Sequence, residues 1–203
     1  VDKLLGRLPA RLKAVDLFRA VDAGEIRALW IMATNPAVSL PDADQVRRAL
    51  ARCPFVVVSD CVRDTDTTAF AQVRLPALSW GEKDGTVTNS ERRISRQRKF
   101  LPLPGEARPD WRIVADVAQH MGFGEAFSYR SAADVFREHA ALSAFENDGA
   151  RAFDLGALAE LTDRDYDALV PCHCPHLKLL ADRSRFFADV GSSTPDGNDL
   201  SPR

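Results

Sequence analysis

No stretch of this chain approaches the roughly 18 consecutive apolar residues that a membrane span requires. No sign of charge dominates either. Lys and Arg number 27 against 29 Asp and Glu, a formal net charge of −2, which leaves no global basic footprint for nucleic acid and no polybasic patch for a lipid surface. Cysteine is scarce, with four in 203 residues and no spacing that suggests a disulfide framework. Neither G-x-G-x-x-G nor G-x-x-x-x-G-K-[ST] occurs, which argues against a conventional dinucleotide fingerprint or a P-loop. No Ser-His-Asp or Cys-His arrangement is legible, and no two carboxylates stand out as an acid/base couple, so no residue is assigned a catalytic role. Repeats and low-complexity tracts are missing too. The chain opens abruptly at Val1-Asp2-Lys3 without a signal peptide, which sets no compartment for a longer parent. What is there is ordinary globular material, 45% apolar and 28% charged, in a chain long enough to bury a sizeable core as one large domain or two small ones.

The apolar pattern changes period along the chain. Leu12, Val15, Phe18 and Val21 repeat every three residues and predict a helix, with Gly24 placed to end it in the left-handed region. Ile26–Met32 is nearly continuous and reads as a strand buried on both faces. A helix over Asp42–Arg52 follows, with Pro41 suited to its first turn and Val46, Ala49 and Leu50 inward. Phe55–Val58 is a second strand, Asp66–Ala71 a short helix, and Val73–Leu75 a third strand stopped by Pro76. This β-α-β-α-β rhythm predicts a mostly parallel sheet with right-handed crossovers. Trp80–Arg98 reads as a long ordered loop with room for a short hairpin. Asp110 is expected to cap a helix over Trp111–Met121 with Ile113, Val114, Val117 and Ala118 inward, and Ser131 one over Ala132–Ala141. Weaker helices follow at Leu155–Leu161 and Asp163–Leu169. The expected architecture is α/β: a three-layer Rossmann-like domain over residues 1–125, a helical C-terminal extension over 126–181, and a loose tail over 182–203.

In an open α/β sheet, ligands bind beyond the carboxyl ends of the strands at a topological switch point. Three groups fall there: Asn35, Ser59-Asp60, and the loop Trp80–Gly85 with Lys83. Together they offer an amide, a hydroxyl, a carboxylate and an ammonium, a set that suits a nucleotide. Asn-Pro is also a common turn and Ser-Asp a common helix cap. Glu91 beside Arg92 and Arg93 reads either as a surface ion pair or as cations facing an anionic cofactor or another domain. Cys172-His173-Cys174-Pro175-His176 looks metal-like, yet it is too compact for the two spaced ligand pairs of a structural zinc site, and no metal is assigned to it. His120 and His139 lie on predicted helices elsewhere. Cys53 and Cys61 flank a strand and read as small apolar fillers.

The strings IRALWIMATNPAVSLPDAD, FVVVSDC, LPALSWGEKDGTVTNSERRISRQR and PGEARPDW together resemble bacterial assimilatory nitrate reductases of the molybdopterin oxidoreductase family, over about Lys13–Leu169. The most specific part is W-x-E-K-x-G-x-x-x-N-x-E-R-R, which joins rare residues in a long fixed register. The resemblance implies a multidomain cytoplasmic enzyme that reduces nitrate to nitrite at a molybdenum held by two molybdopterin guanine dinucleotides. An iron–sulfur cluster feeds the metal, with its cysteine ligands outside this chain. It also implies that this chain, inactive alone, holds the guanosine end of one dinucleotide through Asn35, Ser59, Asp60, Lys83 and Asp110. Which of Asp60 and Asp110 takes guanine and which ribose stays open. The implied partners are the remaining domains of the parent and an electron donor, with no nucleic acid and no membrane. The alternative is a scaffold domain of the same fold that has lost its cofactor, as in respiratory complex I relatives. Pro171–Pro175 and the tail depart from the family pattern.

Overall fold

A computed structural model describes residues 12–174. Within them the chain forms two compact units, one holding the residues up to Asp84 together with Arg98–Arg130, the other Gly85–Gln97 together with Ser131 onward.

In the first unit the initial apolar stripe forms helix α1 (Ala14–Asp22), which buries Phe18 and Val21. Gly24 follows it at φ 79°, the left-handed region that glycine enters without steric cost. Strands β1 (Ala28–Met32), β2 (Phe55–Asp60) and β3 (Val73–Pro76) then pair in parallel, in the order β1-β2-β3. Leu29 lies opposite Val56, Ile31 opposite Val58, and Val58 opposite Arg74. Alternate strand residues share a face, so Leu29, Ile31, Val56 and Val58 form one apolar surface. It packs with Phe18 and Val21 of α1 and with Val46, Ala49 and Leu50 of α3 (Ala43–Arg52). Asp42 starts α3 by accepting a hydrogen bond from the Gln45 N–H at 3.1 Å, which satisfies one of the orphan amides of the first turn. Pro41 therefore lies before the cap, not in the first turn. Between β1 and α3 a single helical turn, α2 (Pro36–Ser39), begins at Asn35.

The expectation that β1 is buried on both faces is corrected. Its opposite face is covered less, and Trp30 and Phe55 there remain 36% and 46% exposed. The nearly continuous apolar run conceals an alternation, because α1 and α3 both contribute to the core on the other face. The short helix expected over Asp66–Ala71 is a 3₁₀ turn, Thr68–Phe70. Thr65 and Thr68 explain the difference: each side-chain oxygen accepts from the other's backbone N–H, at 3.1 and 2.7 Å, and such local bonds compete with an α-helix. Helix α4 (Asp110–His120) has Pro109, not Asp110, at its N-cap. It buries Ile113, Ala115 and Ala118, while Val117 faces outward.

In the second unit, β4 (Gly85–Thr88) and β5 (Arg93–Gln97) form an antiparallel hairpin, and β6 (Cys172–His173) pairs with β5. Asn89 closes the hairpin turn by accepting from the backbone N–H groups of Glu91 and Arg93 at 3.0 and 2.9 Å. Helix α5 (Ala132–Ala144) starts with a reciprocal Ser131–Asp134 capping box. Its Ala133, Phe136 and Ala140 pack with Ile94, Leu155, Leu158, Tyr166 and Cys174. Arg96, two residues along β5 from Ile94, lays its guanidinium 4.2 Å from the Tyr166 ring centre and donates to Asp167 at 2.8 Å. The C-terminal part is thus helix and antiparallel sheet, not helix alone. The helix expected over Leu155–Leu161 is a single 3₁₀ turn, Gly156–Leu158, and α6 spans Asp163–Asp167. Arg137 ties α5 to the start of α6, donating to Asp163 at 3.0 Å and to Asp134. Those two bonds raise its already high pKa further, so it stays charged across all working pH.

A Cβ on Gly156 would sit 2.6 Å from the Cβ of Ala144, a rigid helix atom that cannot turn away. Gly156→Ala is therefore expected to destabilise the second unit by about 1–3 kcal/mol, read as a lower urea midpoint. An unchanged midpoint would mean that this contact relaxes freely. No helix among the described residues is long and apolar enough to cross a membrane.

Candidate functional site

The apolar face of the parallel sheet turns polar at the carboxyl ends of its strands. Val56, Val58 and Asp60 share one face of β2, and Val58 and Asp60 lie opposite Arg74 and Pro76 of β3. The core ends at Val58, and beyond it opens a cleft of about 430 Å³. Asp60, Arg63, Thr68, Arg74, Ser79 and Glu82 line it, with apolar walls from Val62, Leu75, Pro76, Ala77, Pro104 and Ala107. The segment carrying Pro104 and Ala107 is held at the sheet edge. Its Arg108 N–H donates to Pro76 O at 3.1 Å, and Arg108 O accepts from the Leu78 N–H at 3.0 Å.

Asp60 accepts from the Val62 N–H at 2.9 Å. One such bond leaves acceptor capacity, because a carboxylate offers about four lone-pair sites. The loop over Ser79–Lys83 is shaped by its own bonds. The Ser79 N–H donates to the Glu82 carboxylate at 2.7 Å, and the Ser79 carbonyl accepts from the Glu82 N–H at 3.2 Å. Gly81 sits under Phe100 and Leu101, and its carbonyl accepts from both of their N–H groups at 2.9 and 3.0 Å. A Cβ there would meet Leu101 Cδ1 at 2.7 Å, so glycine suits that close approach. Lys83 leaves the turn and pairs with Asp110 of α4 at 2.5 Å, both side chains about 30% exposed. Asp110 thus spends its carboxylate on Lys83 and caps nothing.

The five residues expected at the site are placed differently from one another. Asp60 lines the cleft. Lys83 and Asp110 are brought together as an ion pair, outside the cleft lining. The side-chain amide oxygen of Asn35 (Oδ1) accepts from the Thr67 hydroxyl at 2.7 Å and the Thr67 N–H at 3.2 Å, which ties the end of β1 to the 3₁₀ turn. Ser59 is fully buried on the other face of β2 and accepts from the Trp30 indole N–H at 2.8 Å. Among the described strands the order does not reverse, so they form no switch point by themselves. Arg63, Thr68, Arg74 and Ser79 were not singled out from the sequence, and Glu82 only as part of the loop Trp80–Gly85, although three of the five carried a signal. S-x-x-E at Ser79–Glu82 is a capping-box pattern, and Arg74 alternates with Val73 and Leu75 at the period of a strand, although only the register of β3 against β2 puts it on the face of Asp60.

Cys61 is exposed and lines the cleft, which corrects its reading as an apolar filler, while Cys53 is buried in the core. Cys172 and His173 form β6, and Cys174 is buried. Burial, and then the neighbouring Cys174, push the Cys172 thiol above its ordinary pKa, the opposite of an activated thiolate. Among the described residues no three His, Cys, Asp or Glu side chains gather as a metal site. Pro175 and His176 lie outside those residues, as does the tail over 182–203.

Residues 3–120 match the family of molybdopterin oxidoreductases. The chain is 62% identical over 164 residues to a nitrate reductase of Klebsiella oxytoca, covering 81% of this chain and 19% of that protein. It is 42% identical over 127 residues to the assimilatory nitrate reductase catalytic subunit of Bacillus subtilis, covering 63% and 18%. Among solved structures, acetylene hydratase from Pelobacter acetylenicus shares the fold with a TM-score of 0.59 at 17% identity, covering 79% of this chain and 20% of that one. The chain thus spans about a fifth of the length of these relatives.

Proposed function

The chain belongs to the molybdopterin oxidoreductase family, and from that membership we propose that it is part of a molybdenum-dependent nitrate reductase whose cleft at Asp60 takes the guanosine end of a molybdopterin guanine dinucleotide. The observation that carries this reading is the cleft itself. Two carboxylates, two hydroxyls and two arginines meet apolar walls at the carboxyl ends of parallel strands, where such sheets bind nucleotides. The donor set fits the group. Guanine offers its N1–H and exocyclic amine to a carboxylate, whereas adenine turns a bare acceptor toward it. The proline and alanine walls suit the flat faces of a base.

In this reading Asp60 is the direct acceptor, for guanine or for ribose. Lys83 and Asp110 hold the loop that carries Ser79 and Glu82, and Asn35 and Ser59 fix the strand ends behind the cleft. These residues position the cofactor and exclude water from it. When bound, the cofactor supplies the metal at which nitrate gives up an oxygen atom, in a bis-dinucleotide form fed by an iron–sulfur cluster from other parts of the protein. Residues 1–125 are then part of a three-layer Rossmann-like domain, with further chain against the face of Trp30 and Phe55, and residues 126–181 are its extension. The remaining domains and an electron donor are its partners, in the cytoplasm. A cofactor-free scaffold is the weaker reading, since it gives no use to a cleft lined with two carboxylates and two arginines.

The test is the content of the full-length protein. Guanine nucleotide is expected to be released on denaturation together with molybdenum, while this chain alone reduces no nitrate with any donor. Release of adenine nucleotide, or of no nucleotide, contradicts the proposal, as does turnover by the metal-free chain.

A further inference from the structure

We propose that Arg74, assisted by Arg63, is the phosphate partner of the nucleotide in the cleft, and that Lys83 is not. This assignment rests on the guanosine reading of the cleft and goes beyond it, naming the residues that hold the anionic part of the ligand. The sequence suggests Lys83, a lone ammonium in a loop past the third strand. The geometry moves the role elsewhere. Lys83 is paired with Asp110 at 2.5 Å and does not line the cleft. Arg74 does line it, on the same face of the sheet as Asp60, because Val58 lies opposite Arg74 and Asp60 opposite Pro76.

The bonding of Arg74 leaves it available. Its Nη1 donates to Asp64 at 3.1 Å and, marginally, to the Arg63 carbonyl at 3.5 Å. A guanidinium has five N–H donors in a planar fork that matches the oxygens of a phosphate, and these contacts engage one nitrogen. Arg63 lies beside it with a side chain 90% exposed, 3.9 Å from the same Asp64, a pairing too loose and too wet to hold it. Two arginines therefore share one carboxylate and retain a positive excess at this side of the cleft. Of the two acidic groups that line it, Glu82 accepts from the Ser79 N–H at 2.7 Å, and Asp60 keeps acceptor capacity. The cleft thus offers a carboxylate for the N–H groups of a base and an arginine fork for an anion, as a nucleoside phosphate requires.

The experiment compares guanosine with guanosine monophosphate, titrated calorimetrically into full-length protein freed of its cofactor. The unsubstituted protein is expected to bind the monophosphate about ten- to a hundredfold more tightly than the nucleoside, the usual effect of a hydrogen bond to a charged group. Arg74→Gln abolishes that preference and leaves guanosine affinity unchanged, which also shows that the variant is folded. Arg63→Gln, an exposed position, lowers the preference severalfold. Lys83→Gln weakens both ligands together, through the loosened loop, and keeps their ratio. A preference that survives in Arg74→Gln, or one lost in Lys83→Gln alone, overturns the assignment and leaves the cleft reading standing. Failure of the unsubstituted protein to bind either ligand overturns the cleft reading and this assignment with it.

Discussion

Asp60→Asn in the full-length protein is expected to weaken retention of the nucleotide end of the cofactor by about ten- to a hundredfold. The substitution keeps the shape of the side chain and its bond to the Val62 N–H, and it replaces one carboxylate oxygen by an amide donor. A hydrogen bond to a charged group contributes roughly 1.5–3 kcal/mol net, and each 1.4 kcal/mol is about tenfold in affinity. Under the proposed function the rest of the dinucleotide is bound by other parts of the full-length protein, so the single change is expected to show first as slow loading. Combined with Lys83→Ala, which frees the loop of Ser79 and Glu82 from Asp110, it shows as missing molybdenum. His173→Ala on β6, in the other unit, leaves molybdenum and nucleotide content unchanged. Full occupancy in the double variant would place the site on other residues.

The second large effect concerns the scaffold behind the cleft. Leu50 of α3 is 1% exposed and packs into the core with Val56 and Val58, and Val58 lies two residues before Asp60 along β2. Leu50→Ala removes three carbons and leaves a cavity, which costs about 2–5 kcal/mol. Against a typical domain stability of about 5–15 kcal/mol, that is a large fraction of what holds the strand ends in place. Thermal unfolding of the variant is expected to fall by many degrees. Val38→Ala on α2, 56% exposed, is expected to change stability by about 0.5 kcal/mol or less. Equal effects at the two positions would mean that the core is not where the burial pattern puts it.

The parallel strands were legible because their apolar runs are short, bounded by turns and joined by helical stripes. What the runs could not reveal was which face each strand buries: Trp30 and Leu29 read alike in sequence, and only the packing of α1 and α3 separates them. The hairpin β4-β5 was legible only as room for one within Trp80–Arg98, and its partner β6 was not legible at all. β6 is two residues long, and its pairing with β5 joins positions about 80 apart, a link no local pattern encodes. At the candidate site, Asp60 was legible as a polar residue at the end of an apolar strand. Lys83 and Asp110 were legible as charges but not as a pair, since 27 residues separate them. Arg74 was hidden in plain view. Its significance depends on the register of β3 against β2, and register is a property of the folded sheet.

Where the guanine lies tests most directly the placement of the guanosine end at Asp60 and Arg74. A structure of the full-length protein loaded with its cofactor is expected to show the guanosine end of a dinucleotide in the cleft between β2 and β3. Asp60 should accept hydrogen bonds from it, and the Arg74 guanidinium should face its phosphate. Guanosine bound elsewhere, with Asp60 meeting only solvent and its own backbone, would contradict it.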